Sequence, residues 1–137
     1  MTTKKLYMGT TTIEVQRTAG EIISELVKAG ASSINTEYKN GEICGIRWIM
    51  KVNGQDALFE MPARVEPIHR YIRDLAQARR VAWRQLLRWV QAQNAMIETG
   101  MVQPMEVFAA YWIPPGQDRT LFANIMEQQL KALPPAS

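Results

Sequence analysis

Two Asn-Gly pairs, Asn40-Gly41 and Asn53-Gly54, divide the middle of the chain into three extended segments. Asn and Gly most readily adopt the positive φ that a two-residue type I′ turn requires at both central positions. The segments around these pairs are rich in β-branched and aromatic side chains, which favour strands. The sequence therefore predicts an antiparallel meander of three strands, at roughly residues 33–39, 42–52 and 55–62.

The second and third segments alternate apolar and polar residues, which predicts a sheet with one buried face. The predicted core face carries Cys44, Ile46, Trp48, Met50, Val52, Ala57, Phe59 and Met61. With a two-residue turn at Asn40-Gly41, Ile34, Thr36 and Tyr38 fall on the opposite face, beside Arg47 and Lys51. Either a bulge shifts the register of the first strand, or both faces of the sheet are partly covered.

Further elements are predicted ahead of the meander. Thr18 and Glu21 have the spacing of a capping box, so a helix is expected to begin there, and Gly30 suits its end. Before this helix, residues 6–16 are rich in Thr, with Ile13 and Val15 alternating. That composition is typical of an additional strand or hairpin.

The pattern of the second half of the chain predicts helices. An apolar helical period runs without interruption from Pro67 to Thr99, and Gly100 is suited to the residue just past its end. Residues 104–112 and 119–132 are predicted to form two shorter helices, separated by Pro114-Pro115-Gly116. The apolar side chains expected to face inward from the last helix are Leu121, Ile125, Met126 and Leu130.

These elements together predict an α+β fold, in which an antiparallel three- to four-stranded meander packs against a long helix and a helical segment follows at the C-terminus. A chain of 137 residues with 47% hydrophobic content is expected to form one domain with its own core. Residues 1–64 are its β-α-β-β-β part and residues 65–137 its helical part. No internal repeat or long linker indicates a second domain.

Most arginines of the long helix lie along one side of it. At 100° per residue, five of them fall within about a quarter turn of one another. This arginine stripe comprises Arg70, Arg73, Arg80, Arg84 and Arg88. Arg79 falls instead within the apolar arc, which predicts either a buried, paired arginine or a local break near Ala78. Because residues 65–100 contain six arginines against three carboxylates, the positive charge of the chain is concentrated here.

An arginine stripe on a rigid helix suits contact with several phosphates of a nucleic acid. A second surface for the same partner is the outer face of the sheet, where Tyr38 could stack on a base between Arg47 and Lys51. Two other interpretations stay open, since a charged stripe is often only the solvated face of a helix and the same arginines would also suit an acidic patch on a protein. The sequence also leaves open a homo-oligomer.

No residues indicate catalysis, a metal site or a cofactor. Cys44 is the only cysteine and His69 the only histidine, so the chain has no disulfide and no thiolate metal site. The carboxylates have no spacing that suggests an acid-base pair. No apolar run reaches the roughly 18–20 residues of a membrane span and no secretory signal is present, so we expect a cytoplasmic protein without membrane contact.

Several segments resemble a family of small, functionally uncharacterised proteins of tailed bacteriophages and prophages. The resemblance rests on residues 80–84 (RVAWR), 89–93 (WVQAQ), 97–102 (IETGMV), 106–108 (EVF) and 119–122 (RTLF), and it extends to the capped helix and the meander. It implies a viral or prophage origin and a bacterial cytoplasm. The predicted function is that of a non-enzymatic phage accessory protein that binds nucleic acid in replication or recombination. The alternative is a host-directed protein that binds and inhibits or redirects a bacterial enzyme.

Overall fold

The computed structural model describes the backbone of residues 5–132 and the side chains of residues 5–128. The helices and strands follow one another as α1 (Val15–Lys28), β1 (Ser32–Lys39), β2 (Glu42–Val52), β3 (Gln55–Pro62), α2 (Glu66–His69), α3 (Leu75–Glu98), α4 (Pro104–Phe108), β4 (Trp112–Ile113) and α5 (Leu121–Ala132). A single 3-10 turn, Ala109–Tyr111, connects α4 to β4. The α+β fold with an antiparallel meander, a long helix and a helical C-terminal segment is confirmed.

The four strands form one antiparallel sheet in the order β1-β2-β3-β4. Both predicted turns are present, with φ of 54° and 80° at Asn40 and Gly41 and of 52° and 80° at Asn53 and Gly54. The pairing of β2 with β3 is unbroken from Gly45 opposite Pro62 to Val52 opposite Gln55. The core face predicted for these two strands is confirmed at Ile46, Trp48, Met50, Phe59 and Met61, whereas Cys44 is only half-buried.

Two bulges set the register of β1. Ser33, at φ 50°, is an extra residue on β1, because Ser32 pairs with Ile49 while Asn35 pairs with Arg47. The second bulge lies on β2, between the pairs Glu37–Gly45 and Tyr38–Ile43. Because this bulge lies between the Asn40-Gly41 turn and Thr36, Thr36 pairs with Ile46 on the core side, and the placement of Ile34 and Thr36 on the outer face is wrong. Of the two alternatives left open by the sequence, the bulge is correct.

The predicted uninterrupted helix from Pro67 to Thr99 is wrong at its beginning. The chain forms the short helix α2, leaves helical structure after His69, and starts α3 only at Leu75. Asp74 caps α3, since its side-chain oxygen accepts hydrogen bonds from the backbone N–H groups of Ala76 (3.0 Å) and Gln77 (3.4 Å). A helical wheel, which advances every residue by 100°, does not show such a break when the apolar period continues on both sides of it. Arg70 and Arg73 consequently lie outside α3.

The N-terminal part also differs from its prediction. α1 begins at Val15 rather than at Thr18, and Thr18 is fully buried inside the helix. Residues 5–14 contain no strand, so the predicted order β-α-β-β-β is wrong in its first element, and the fourth strand of the sheet is β4. Residues 6–11 lie instead across α3, where the Gln77 amide donates to the carbonyls of Gly9 and Thr11 and the Gln85 amide donates to that of Tyr7.

The buried core joins residues from both parts of the chain. Trp48 stacks on Phe59 with ring centroids 5.4 Å apart, and Phe108 of α4 meets Trp48 edge-on at 5.4 Å. Ile22 and Leu26 of α1 and Trp83, Leu87 and Val90 of α3 complete the same cluster. The inward face predicted for the last helix is wrong at Ile125 and Met126, which are about half exposed, and the side chain of Leu130 lies outside the described residues.

Candidate functional site

Arg84 is buried rather than available to a partner. Its side chain is 7% exposed, and Nη1 donates to the Thr18 hydroxyl at 3.2 Å and to both Glu21 carboxylate oxygens at 3.3 and 3.2 Å. The side of α3 that carries Arg84 packs against α1. At Arg84 the arginine stripe therefore faces a neighbouring helix and not solvent. Arg84 therefore joins α1 to α3 and is removed from the predicted phosphate contacts.

Arg79 does not occupy the core position that its place in the apolar arc suggested. Its side chain is 30% exposed, and Nη1 lies 3.7 Å from an oxygen of Glu42 at the β1–β2 turn. Neither alternative predicted for Arg79 is found, because α3 continues through Ala78 without a break and the buried, paired arginine is Arg84.

The predicted stacking surface on the outer sheet face is not assembled. Arg47 lies between Glu37 and Glu60, each at 3.3 Å, and Lys51 pairs with Asp56 at 3.0 Å. Tyr38 pairs with Ile43, which is eight residues from Lys51 along β2, or roughly 26 Å at 3.3 Å per residue. Tyr38 therefore does not lie between the two cations, and both cations already have carboxylate partners.

Four members of the arginine stripe have no ion pair among residues 5–128. They are Arg70, Arg73, Arg80 and Arg88, and we call them the unpaired arginines. Arg70, Arg73 and Arg88 are exposed, and Arg80 is half-buried. By contrast, Arg17 and Lys28 of α1 and Arg47 and Lys51 of β2 are all paired with carboxylates. The uncompensated positive charge of the stripe is thus on α3 and on the segment that precedes it.

The unpaired arginines of α3 are held by glutamines. Arg80 donates from Nε (3.0 Å) and Nη2 (2.6 Å) to the Gln77 side-chain oxygen, while the Gln77 amide is fixed by the carbonyls of Gly9 (3.0 Å) and Thr11 (2.8 Å). Arg88 donates from Nη1 to Gln91 at 2.8 Å. Both guanidinium groups are therefore oriented but keep their full charge. Eight residues separate them along α3, which is about 12 Å at 1.5 Å per residue.

Arg80 also lines a cleft in which residues of three elements meet. The cleft has a volume of about 410 Å³ and lies between the N-terminus of α1, the β1–β2 turn and the first turns of α3. Its charged side chains are Glu14, Glu42, Arg79 and Arg80, and Tyr38 forms part of its wall. Two residues predicted for separate surfaces, Tyr38 and Arg80, thus lie in the same cleft.

Sequence reasoning missed the residues that organise this region. Gln77 carries no local signal, because its partners are carbonyl groups 66 and 68 residues away. Thr18 and Glu21 have the spacing of a capping box, which predicts the start of a helix, but both accept hydrogen bonds from Arg84 of α3 instead. Across the described residues, no three His, Cys, Asp or Glu side chains come together to hold a metal ion. None of the helices described there has an apolar stretch long enough to cross a membrane.

Comparison with known proteins gives no relative on which a function could be based. No family model, no curated protein and no solved structure matches this chain.

Proposed function

We propose that this protein is a non-enzymatic nucleic-acid-binding protein that contacts phosphates through Arg70, Arg73, Arg80 and Arg88. The observation that carries the proposal is the contrast in pairing, since the cations of α1 and β2 have carboxylate partners and these four arginines have none among residues 5–128. Arg84, Arg47 and Lys51 are left out because they are already paired. Following the resemblance to phage proteins, the proposed setting is phage replication or recombination in the cytoplasm of a bacterium.

The pairing matters because binding to a phosphate backbone draws its free energy mainly from counterion release. A cation that already has a carboxylate partner adds little to the free energy of binding, because either the ion pair must be broken or the carboxylate must be brought near the phosphate. An exposed guanidinium without a carboxylate can donate to phosphate oxygens directly. Binding through the unpaired arginines should therefore depend weakly on base sequence and strongly on salt concentration.

The test is fluorescence anisotropy with labelled single- and double-stranded oligonucleotides over a range of salt concentrations. We expect the triple variant Arg73→Gln, Arg80→Gln, Arg88→Gln to bind far more weakly at low salt. The slope of log K against log salt should fall by about 2 to 3, as expected for three lost phosphate contacts. Glutamine keeps a long, helix-compatible side chain, so the fold should be retained.

The matched control is Arg17→Gln, Lys28→Gln, Lys51→Gln, which removes the same amount of charge from exposed but paired positions. It should bind nearly as well as the unaltered protein. Equal weakening in both triple variants would mean that only net charge matters, and the assigned surface would be wrong. No affinity of the unaltered protein for either oligonucleotide at low salt would rule out the proposed function.

The second candidate function is binding to an acidic host protein, with inhibition or redirection of a bacterial enzyme. The observation that favours it is the apolar face of α5, where Phe122, Ile125 and Met126 are 42%, 48% and 47% exposed. Contacts with the phosphates of a nucleic acid do not require an exposed apolar face. A pull-down from bacterial lysate with and without nuclease distinguishes the two, because nuclease treatment should abolish capture through nucleic acid and leave a direct protein partner bound.

A further inference from the structure

The cleft between α1, the β1–β2 turn and α3 combines a cation, an aromatic ring and a bounded space. We propose that it holds one nucleotide of a single-stranded nucleic acid, with Arg80 donating to the phosphodiester and Tyr38 stacking on the base. This inference rests on the proposed function and adds to it a preference for single strands over duplex.

Arg80 is held in a fixed orientation at the cleft. Its Nε and Nη2 are both directed to the Gln77 side-chain oxygen, and Gln77 is itself held by two backbone carbonyls. Nη1 makes no hydrogen bond within the described residues and remains available as a donor. Since the guanidinium is fixed in advance, little conformational entropy is lost when it binds.

Tyr38 presents a ring that an unpaired base can reach. Tyr38 is 58% exposed, and its backbone is fixed by pairing with Ile43 directly after the β2 bulge. Stacking on an exposed aromatic ring is the usual way in which proteins hold single strands without reading their sequence. The bases of a duplex are stacked and paired with one another, so they cannot use this ring.

The charge balance of the cleft limits the ligand. Arg79 and Arg80 are opposed by Glu42, which is paired with Arg79, and by Glu14, so the charged groups of the lining balance. Such a site can accept the single negative charge of a phosphodiester at Arg80, but it lacks the excess of cations that a free nucleoside triphosphate would need. The carboxylates can in turn accept hydrogen bonds from the amino groups of a base. A volume of about 410 Å³ is within the usual range of small-ligand sites.

The experiment compares one labelled single strand with the same strand annealed to its complement, at a fixed low salt concentration. We expect Tyr38→Leu to weaken single-strand binding by about 5- to 150-fold, as for the loss of one stacked base. Duplex binding should stay the same. Tyr38→Phe retains the ring and should bind as the unaltered protein does. Tyr7→Leu is the matched control, because Tyr7 is 62% exposed and lies outside the cleft.

Each result decides for or against the proposal. It is overturned if Tyr38→Leu leaves single-strand affinity unchanged, if it weakens both probes equally, or if ATP displaces the single strand. Where the Arg73, Arg80, Arg88 variant loses affinity and Tyr38→Leu does not, the proposed function stands and the nucleotide site is wrong. Where the unaltered protein binds neither probe, both fail. Single-strand binding that depends on the ring at residue 38 supports the site.

Discussion

Arg84 and Glu21 form an ion pair whose two members differ strongly in exposure. The Arg84 side chain is 7% exposed and the Glu21 side chain 34%. Glu21 also pairs with Arg17, which is 74% exposed. If Glu21 is removed, a buried guanidinium loses its carboxylate, whereas Glu21 without Arg84 keeps access to water and to Arg17. Loss of the carboxylate should therefore be the more costly change.

The prediction is that Glu21→Ala lowers the free energy of unfolding by about 3 kcal/mol, near the lower limit for breaking a buried pair, because the Thr18 hydroxyl still accepts from Arg84. Arg84→Met fills a similar volume without a charge and should cost about 1 kcal/mol or less. Arg17→Ala is the control and should also cost less than about 1 kcal/mol, as an exposed pair does. Urea denaturation measures all three. A larger loss for Arg84→Met than for Glu21→Ala would contradict this account.

At the scale of elements, the segment of residues 6–11 is attached to α3 by two glutamines. Gln77 and Gln85 together donate three hydrogen bonds to its carbonyl groups. The segment has only local backbone bonds of its own, from Gly9 to Leu6 and from Thr11 to Met8. These two side chains therefore supply the side-chain hydrogen bonds that attach it to α3.

We predict that the double variant Gln77→Leu, Gln85→Leu releases this segment. Hydrogen exchange of the amides in residues 6–13 should become faster, while the amides in the middle of α3 stay protected. Gln91→Leu is the matched control, because Gln91 accepts a hydrogen bond from Arg88 on the same helix, whereas the side-chain hydrogen bonds to the segment come from Gln77 and Gln85. Unchanged exchange in the double variant would show that the glutamines do not hold it.

The elements that could be predicted from the sequence are those with local causes. The Asn-Gly turns require positive φ at adjacent residues, so they determined the three long strands nearly to the residue. The starts of α1 and α3 were missed because competing local signals existed. Thr18 and Glu21 have capping-box spacing but serve a contact with Arg84, and Asp74 interrupts an apolar period that continues on both sides of it.

The candidate site was predictable only in its residue types. The helical wheel places Arg80, Arg84 and Arg88 on one side of α3, as their spacing in this helix requires. It contains no information about what packs against each side of a helix. The partner of Arg84 is 63 residues away in sequence. The cleft was not predicted, because the nearness of Tyr38 to Arg80 depends on a bulge and on how α1, the sheet and α3 pack together.

At the scale of the whole molecule, one buried cluster joins the two parts of the chain. Trp48 contacts Phe59 on the neighbouring strand and Phe108 from α4, and Trp83 of α3 belongs to the same cluster. Since neither part has a separate core among the described residues, the two parts should lose their structure together.

The corresponding prediction is a single cooperative unfolding transition, seen at the same urea concentration by tryptophan fluorescence and by far-ultraviolet circular dichroism. Trp48→Ala should lower the free energy of unfolding by about 3–5 kcal/mol, because it opens a large cavity. Both probes should still shift together in this variant. Transitions at different urea concentrations in the unaltered protein would show that the two parts unfold separately.

The two bulges of the β1–β2 pair also affect how this molecule behaves among its own copies. β1 is one edge of the sheet, and no strand within residues 5–132 pairs with its outer backbone groups. If an exposed edge strand is long and flat, a strand of another chain can pair with it and start aggregation. The extra residues at Ser33 and in β2 increase the local twist, and β4, at the opposite edge, is only two residues long. The same irregularity that places Tyr38 beside its cleft thus protects the protein against strand-by-strand self-association.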